Sequence, residues 1–290
     1  MKVSLIFISM CLLNLNARAV SQDAPFALNV GVRLVEIPVS VHSAGGAITL
    51  DNLQKSNFEV FEDGVVQDIT LFKHEDTPLR MGLVFRVGNL PERKERIQNI
   101  ATTFIQESNP SNKTFVLDFD ASSYYRDPQF NKGISEMVDS FVEIPGQNTG
   151  VDPGTKKAVL VVANVDGNDS TLASSGMRTL MNYFQESNDV TIYAIGLQAE
   201  DGKPATKAIR ENITQIAEKT GGEAYFPARV EELRDITRRI AHALRNRYTL
   251  GYSPRNLKTD GAWRTIRVSV TSTSERPVVR AKQGYFAPKE

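Results

Sequence analysis

Asp118 and Asp120 stand two residues apart at the end of an apolar segment, a spacing that places both carboxylates on one face of an extended strand. Two acids of that kind, one with a raised pKa, could carry out carboxylate-based hydrolysis if they converged in a pocket. Two solvated acids at a strand end give the same spacing. Asp166-Gly167-Asn168-Asp169 offers further oxygen donors, and the same residues are strong turn formers. The three histidines, His42, His74 and His242, are too scattered to form a local zinc motif. No Gly-x-Ser-x-Gly elbow, Gly-x-Gly-x-x-Gly turn or phosphate-binding Gly-x-x-x-x-Gly-Lys-Ser/Thr loop occurs. Catalysis therefore has only scattered carboxylates to draw on.

The elements that position these residues change period along the chain. Val35, Ile37, Val39 and Val41 alternate with polar residues, a half-buried strand that Pro38 assigns to an edge or a bulge. Asn57 to Glu62 meets Asp63-Gly64, a hairpin signal, and a strand continues through Phe72. From Met81 the apolar runs are continuous and alternate with helical patterns. Strands are expected at 81–85, 114–119, 122–125, 157–163, 190–197 and 223–226. Helices are expected through Ile97, Ile100, Ala101, Phe104 and Ile105; through Ile134, Met137, Val138 and Phe141; and through Leu172, Leu180, Met181 and Phe184. Two more run through Ile209, Ile213, Ile216 and Ala217, and through Leu233, Ile236, Ile240 and Leu244. This alternation predicts a doubly wound, mostly parallel α/β sheet. After Arg247 the period returns to two, and Trp263 begins a strand in which it is expected to face the core. Arg238, Arg239, Arg245 and Arg247 read as the exposed face and end of the last long helix.

Each β flank is too short for an independent core and would leave sheet edges open. The two flanks are therefore expected to pair, forming one discontinuous β-rich module with the α/β domain inserted. The expected divisions are a signal peptide at 1–19, an N-terminal β flank at 28–75, the α/β domain at 79–246 and a C-terminal β flank at 247–288.

Of the 290 residues, 41% are hydrophobic and 23% charged, an ordinary globular composition. Lysine plus arginine equals aspartate plus glutamate at 34 each, so nothing favours nucleic acid or an anionic membrane. Lys2, a short apolar run to Leu15, and Ala17-Arg18-Ala19 form a secretory signal-peptide pattern, too short to span a bilayer. Cleavage after Ala19 would remove Cys11, the only cysteine, and leave no thiol chemistry. The expected location is secreted or periplasmic, with no membrane span in the mature chain.

Several words, in order, carry a resemblance: "LVEIPVSV" and "NFEVFEDGVVQDITLF" before the α/β segment, then "TGGEAYFP", "LRNRYTLGYSP", "WRTIRVSV" and "VVRAKQGYFAP". They resemble the VWFA-related domain family of acidobacterial type, bacterial secreted proteins with a von Willebrand factor A-like domain between β flanks. The resemblance implies a ligand site at the carboxyl end of the sheet, often built on a divalent cation held by an Asp-x-Ser-x-Ser loop, a threonine and an aspartate. In this chain Arg86, Gly88 and Leu90 occupy the Asp-x-Ser-x-Ser positions, while Thr149 and Asp166 match the threonine and aspartate. Arginine, glycine and leucine side chains cannot ligate magnesium, so a degenerate adhesion site without a metal is expected. Arg86 would then stand in for the cation by pairing with Asp166, Asp152 or Asp118.

The function this implies is a secreted, non-enzymatic protein-binding or scaffold protein, with a protein partner and no cofactor. Two alternatives stand beside it. One is metal-dependent adhesion through an altered site of Thr149, Asp152, Asp166 and Asp169; the other is a hydrolase using carboxylates such as Asp118 and Asp120.

Overall fold

The computed structural model describes residues 33–44, 48–86, 91–118, 156–165, 190–198, 205–271 and 276–289. The N-terminal strands are β1 (Val35–His42), β2 (Phe58–Glu62), β3 (Val65–Gln67) and β4 (Ile69–His74). The central part holds β5 (Arg80–Arg86), helix α1 (Pro91–Glu107), β6 (Lys113–Asp118), β7 (Lys157–Asn164) and β8 (Val190–Leu197). It continues with α2 (Lys207–Lys219), β9 (Ala224–Tyr225) and α3 (Glu232–Arg245). The chain ends in β10 (Tyr248–Tyr252), β11 (Trp263–Val270), β12 (Val278–Ala281) and β13 (Gly284–Phe286).

Strands from the two ends of the chain interleave. One sheet has the order β12-β1-β10-β4 and the other β13-β11-β2-β3. β1 lies antiparallel between β10 and β12, and β11 pairs with β2, so each sheet joins both flanks. Val35, Ile37, Val39 and Val41 meet Phe58, Val60, Tyr248, Leu250, Tyr252 and Ile266 in one core, which makes the pair a sandwich. The hairpin turn between β2 and β3 has Asp63 at φ 49° and Gly64 at φ 83°, the left-handed pair that a two-residue turn requires.

Three local expectations are corrected here. Pro38 lies in a central strand, but β12 pairs with β1 only from Val39 onward, so at Pro38 the strand is locally an edge and no ladder bond is lost there. The strand expected to run unbroken to Phe72 divides at Asp68, where the chain passes from β3 in one sheet to β4 in the other. Trp263 is half-buried rather than in the core: Arg264 and Ile266 take the inward parity, and Trp263 packs its ring against Phe286 at 4.9 Å.

The inserted layer is a five-stranded sheet, all parallel, in the order β6-β5-β7-β8-β9. Numbered in chain order among the described strands, the order is second, first, third, fourth, fifth. Strands buried on both faces need apolar side chains on both, and β7 and β8 supply them almost without a break. Met81, Leu83, Phe85, Leu160 and Ile195 pack on one face under Ile97, Ile100 and Phe104 of α1 and Leu233, Ile236, Ile240 and Leu244 of α3. Ile105, expected on that stripe, is exposed at the end of α1. Val84, Val159, Val161 and Ile192 face α2, which contributes Ile213. The expected segments 122–125, 134–141 and 172–184 lie outside the described residues.

Polar contacts fasten the sandwich to the amino end of this sheet. Lys156, one residue before β7, reaches Glu36 at 3.4 Å and also bonds Thr249 Oγ1. Arg247 is buried, not exposed as its place beyond α3 suggested, and its Nη1 donates to Thr191 Oγ1 at 3.4 Å. Gln283 N donates to Lys219 O, and Thr220 bridges to Lys282. These contacts put the sandwich at the amino ends of the parallel strands.

Candidate functional site at the carboxyl end of the parallel sheet

In an open α/β sheet the ligand crevice forms beyond the carboxyl ends of the strands, where successive crossovers leave on opposite faces. That switch lies between β5 and β7. Among the described strands the order reverses there, β6 lying on one side of β5 and β7, β8 and β9 on the other. Arg86 is the last residue of β5 and pairs in register with Ala163, next to Asn164 at the end of β7. A guanidinium at this position carries a fixed positive charge and a bidentate donor fork suited to carboxylate or phosphate.

Farther along the same edge, β8 and β9 end beside the start of α2. Thr206 caps that helix by accepting from Ile209 N at 3.4 Å. A cavity of about 650 Å³ opens there, bordered by Lys207, Arg210, Thr214 and Phe226. The Arg210 guanidinium lies 4.8 Å above the Phe226 ring. Phe226 in turn packs on Gly196 of β8, where a Cβ would come within 2.6 Å of the ring. The rim is therefore basic and aromatic, with Glu211 held by Lys207 at 3.6 Å.

Of the expected adhesion-site positions, Arg86 falls in a described element. Gly88, Leu90, Thr149 and Asp166 lie outside the described residues, as do Asp120, Asp152 and Asp169. Asp118 is the last residue of β6, in register with Phe85. Among the described residues no three of His, Cys, Asp and Glu come together as a metal site. No helix among them is long and apolar enough to cross a membrane.

Two buried polar clusters were not anticipated. In the sandwich core Glu62, only 2% exposed, accepts from Tyr252 OH at 2.6 Å and Tyr285 OH at 2.9 Å, both on Oε2. Burial first, and then the Glu62 carboxylate, push both phenols well above the ordinary tyrosine range. Arg264 is buried beside them and bonds Asp260 at 2.8 Å. The signal for Glu62 was in the sequence: it shares the inward parity of Phe58 and Val60 in Phe58-Glu59-Val60-Phe61-Glu62. The second cluster lies between the sandwich and the α/β layer, where Arg280 of β12 pairs with Glu223 and with Glu218 at 3.7 Å. Glu223 also accepts from Tyr225 OH at 2.6 Å. His42 is buried in the same seam.

No protein-family model matches the chain, and no curated protein is similar to it. Solved structures do match. A Megasphaera elsdenii flavodoxin is 10% identical with a TM-score of 0.32, over 56% of this chain and 99% of its own. The flavodiiron protein from Giardia intestinalis is 9% identical with a TM-score of 0.35, over 59% of this chain and 37% of its own. The azoreductase AzrA is 11% identical with a TM-score of 0.29, over 57% of this chain and 98% of its own.

These findings correct the assignment drawn from the sequence words. The matched structures are a flavodoxin, a flavodiiron protein and an azoreductase, not von Willebrand A domains. The VWFA-related family, the degenerate adhesion site, the protein-binding scaffold and the absence of enzymatic activity are withdrawn with it. At TM-scores of 0.29 to 0.35 the likeness itself transfers neither a cofactor nor an activity to this chain.

The strand order can be tested directly against a flavin. Second-first-third-fourth-fifth is the order in which flavodoxin-like sheets hold FMN at the switch point. A phosphate there wants backbone N–H groups and hydroxyls at the start of the first helix. Here the loop reads Val87-Gly88-Asn89-Leu90, without a hydroxyl, and α1 opens on Pro91, which has no N–H. The sequence at this helix start therefore lacks the hydroxyls that suit a flavin phosphate and leaves Arg86 as the cationic donor nearby.

Proposed function

We propose that this protein binds a small anionic molecule at the carboxyl end of its parallel sheet, with Arg86 as the primary anion contact. The observation that carries the reading is the strand order, which puts the switch point at the end of β5, where Arg86 stands. The rim of Lys207, Arg210 and Phe226 on the same edge supports it, because with Glu211 offsetting Lys207 it still carries the positive charge of Arg210. The sandwich, fastened to the opposite end of the strands, acts as the base of the binding layer.

Calorimetric titration of the protein with inorganic phosphate, citrate, AMP and FMN tests this reading. Binding of at least one of these anions tighter than millimolar, weakened at least about tenfold (1.4 kcal/mol) by Arg86→Gln, is the expected result. Heats no larger than dilution for all four would overturn it.

A further inference from the structure

β1 has two buried faces, and only one of them belongs to the sandwich core. Val35, Ile37, Val39 and Val41 point into the core, while Ser40 and His42, on the opposite parity, are buried as well. The second face is covered by the α/β layer. In register, Ser40 stands opposite Arg280 and His42 opposite Val278. Arg280 is the strap across the seam, since it leaves β12 and is held by Glu223 just before β9 and by Glu218 of α2.

We propose that His42 is an acid-sensitive latch in this seam, and that protonating its imidazole loosens β12 from the α/β layer. The charges around it make the case. The charges that act on it are Arg280 of β12 and Arg239 of α3, which oppose protonation, and Glu223 before β9, which favours it. Among the described residues its Nδ1 meets Thr49 Oγ1, at 3.5 Å. Tyr193 of β8 and Tyr225 of β9 sense the same Glu223 and Arg280 charges, and Tyr193 also that of Arg247, yet they stay neutral phenols because burial raises both pKa values. Glu223, the carboxylate that acts on the ring among the described residues, is already shared between Arg280 and Tyr225. An imidazolium formed here, in a residue 3% exposed, would be a third cation against a committed anion. Burial, followed by Arg280 and Arg239, lowers the His42 pKa against the opposing pull of Glu223.

The direction of the effect follows. A base whose folded-state pKa lies below its unfolded value of 6.5 is neutral in the folded chain while the unfolded chain takes up a proton. The seam keeps its full strength above that value and weakens as pH falls from it toward the depressed folded pKa. Because β12 is a four-residue edge strand held to the α/β layer by Arg280, it is the element that yields first.

Hydrogen exchange of the full chain, followed by mass spectrometry from pH 7.5 to pH 5 and corrected for intrinsic rates, tests the latch. Opening of peptides covering β12 should rise as pH falls, by at most about tenfold per pH unit for one proton, while β7 stays protected. His42→Gln should flatten that rise. Exchange of β12 independent of pH, the same pH dependence in His42→Gln, or β7 and β12 opening together would each overturn the proposal. An NMR titration of the His42 ring in the unaltered chain stands independently of whether the variant folds. A midpoint below 6.5 is expected, and one at or above 6.5 overturns the latch.

Discussion

Tyr252 donates its phenol hydrogen to Glu62 Oε2 at 2.6 Å in the middle of the sandwich, joining the two flanks across 190 residues of sequence. Tyr285 donates to the same oxygen at 2.9 Å. One buried carboxylate from the N-terminal flank thus holds two phenols from the C-terminal flank. Glu62 is a polar centre in a largely apolar core, with Arg264 buried beside it.

Tyr252→Phe removes one of those bonds and keeps the ring packing. A hydrogen bond to a charged group is worth about 1.5–3 kcal/mol, and urea denaturation should show a loss in that range with an unchanged m value. Adding Tyr285→Phe should cost more than the sum of the two single changes, because the carboxylate then loses every hydroxyl donor it had.

Alkaline pH should attack the same cluster. Burial, followed by Glu62, raises the pKa of Tyr252 and Tyr285 above the unfolded value of 10.0. Above that value the unfolded chain gives up phenolic protons that the folded chain keeps, so stability is complete below it and falls as pH rises past it. Ultraviolet absorbance of phenolate should rise together with loss of near-ultraviolet circular dichroism, rather than before it.

Gly222 passes so close to β8 that a Cβ would lie 1.9 Å from Ile192 O. The obstacle is backbone and cannot rotate away. Gly222→Ala should cost about 3 kcal/mol or more, at the top of the range for overpacking. Gly64→Ala, where a Cβ meets open space and only the positive φ is disfavoured, should cost about 1–2 kcal/mol. Thermal denaturation of the two variants gives the comparison.

Trp263, the only tryptophan, reports on the sandwich from its outer face. Half-buried against Phe286, it should emit between the buried and solvated limits. Trp263→Ala should cost less than the about 3–5 kcal/mol of a fully buried tryptophan.

Hydrophobic period made most of the architecture legible in the sequence. Leu233, Ile236, Ile240 and Leu244 recur at helical spacing and all four are buried, and the continuous apolar runs of β5, β7 and β8 became central parallel strands. Pairing of the flanks followed from their length alone. What period cannot show is a face buried twice: Ser40 and His42 look like the wet side of β1 because the layer that covers them comes from distant sequence. Arg247 misled for a related reason, since its position after a helix suggests solvent while Thr191 and the sandwich enclose it. At Trp263 composition points the wrong way: a tryptophan suggests core more strongly than an arginine does, yet Arg264 is the buried neighbour. Of the candidate site, the sequence offered Arg86 at a strand end. The strand order that makes this end a switch point depends on crossovers, which no local pattern records.

The central claim is an anion site at the end of β5, and a thermal-shift comparison of the full chain with its Arg86→Gln variant tests it most directly. With phosphate, citrate, AMP and FMN each in large excess, at least one anion should raise the melting temperature of the unaltered chain. An excess of 100 Kd is worth about 2.7 kcal/mol, or several degrees for a chain of this size. The same anion should shift Arg86→Gln by no more than about half as much, because a site weakened tenfold retains about 1.4 kcal/mol at that concentration. A melting temperature unmoved by all four, or a shift that survives Arg86→Gln intact, would contradict the account.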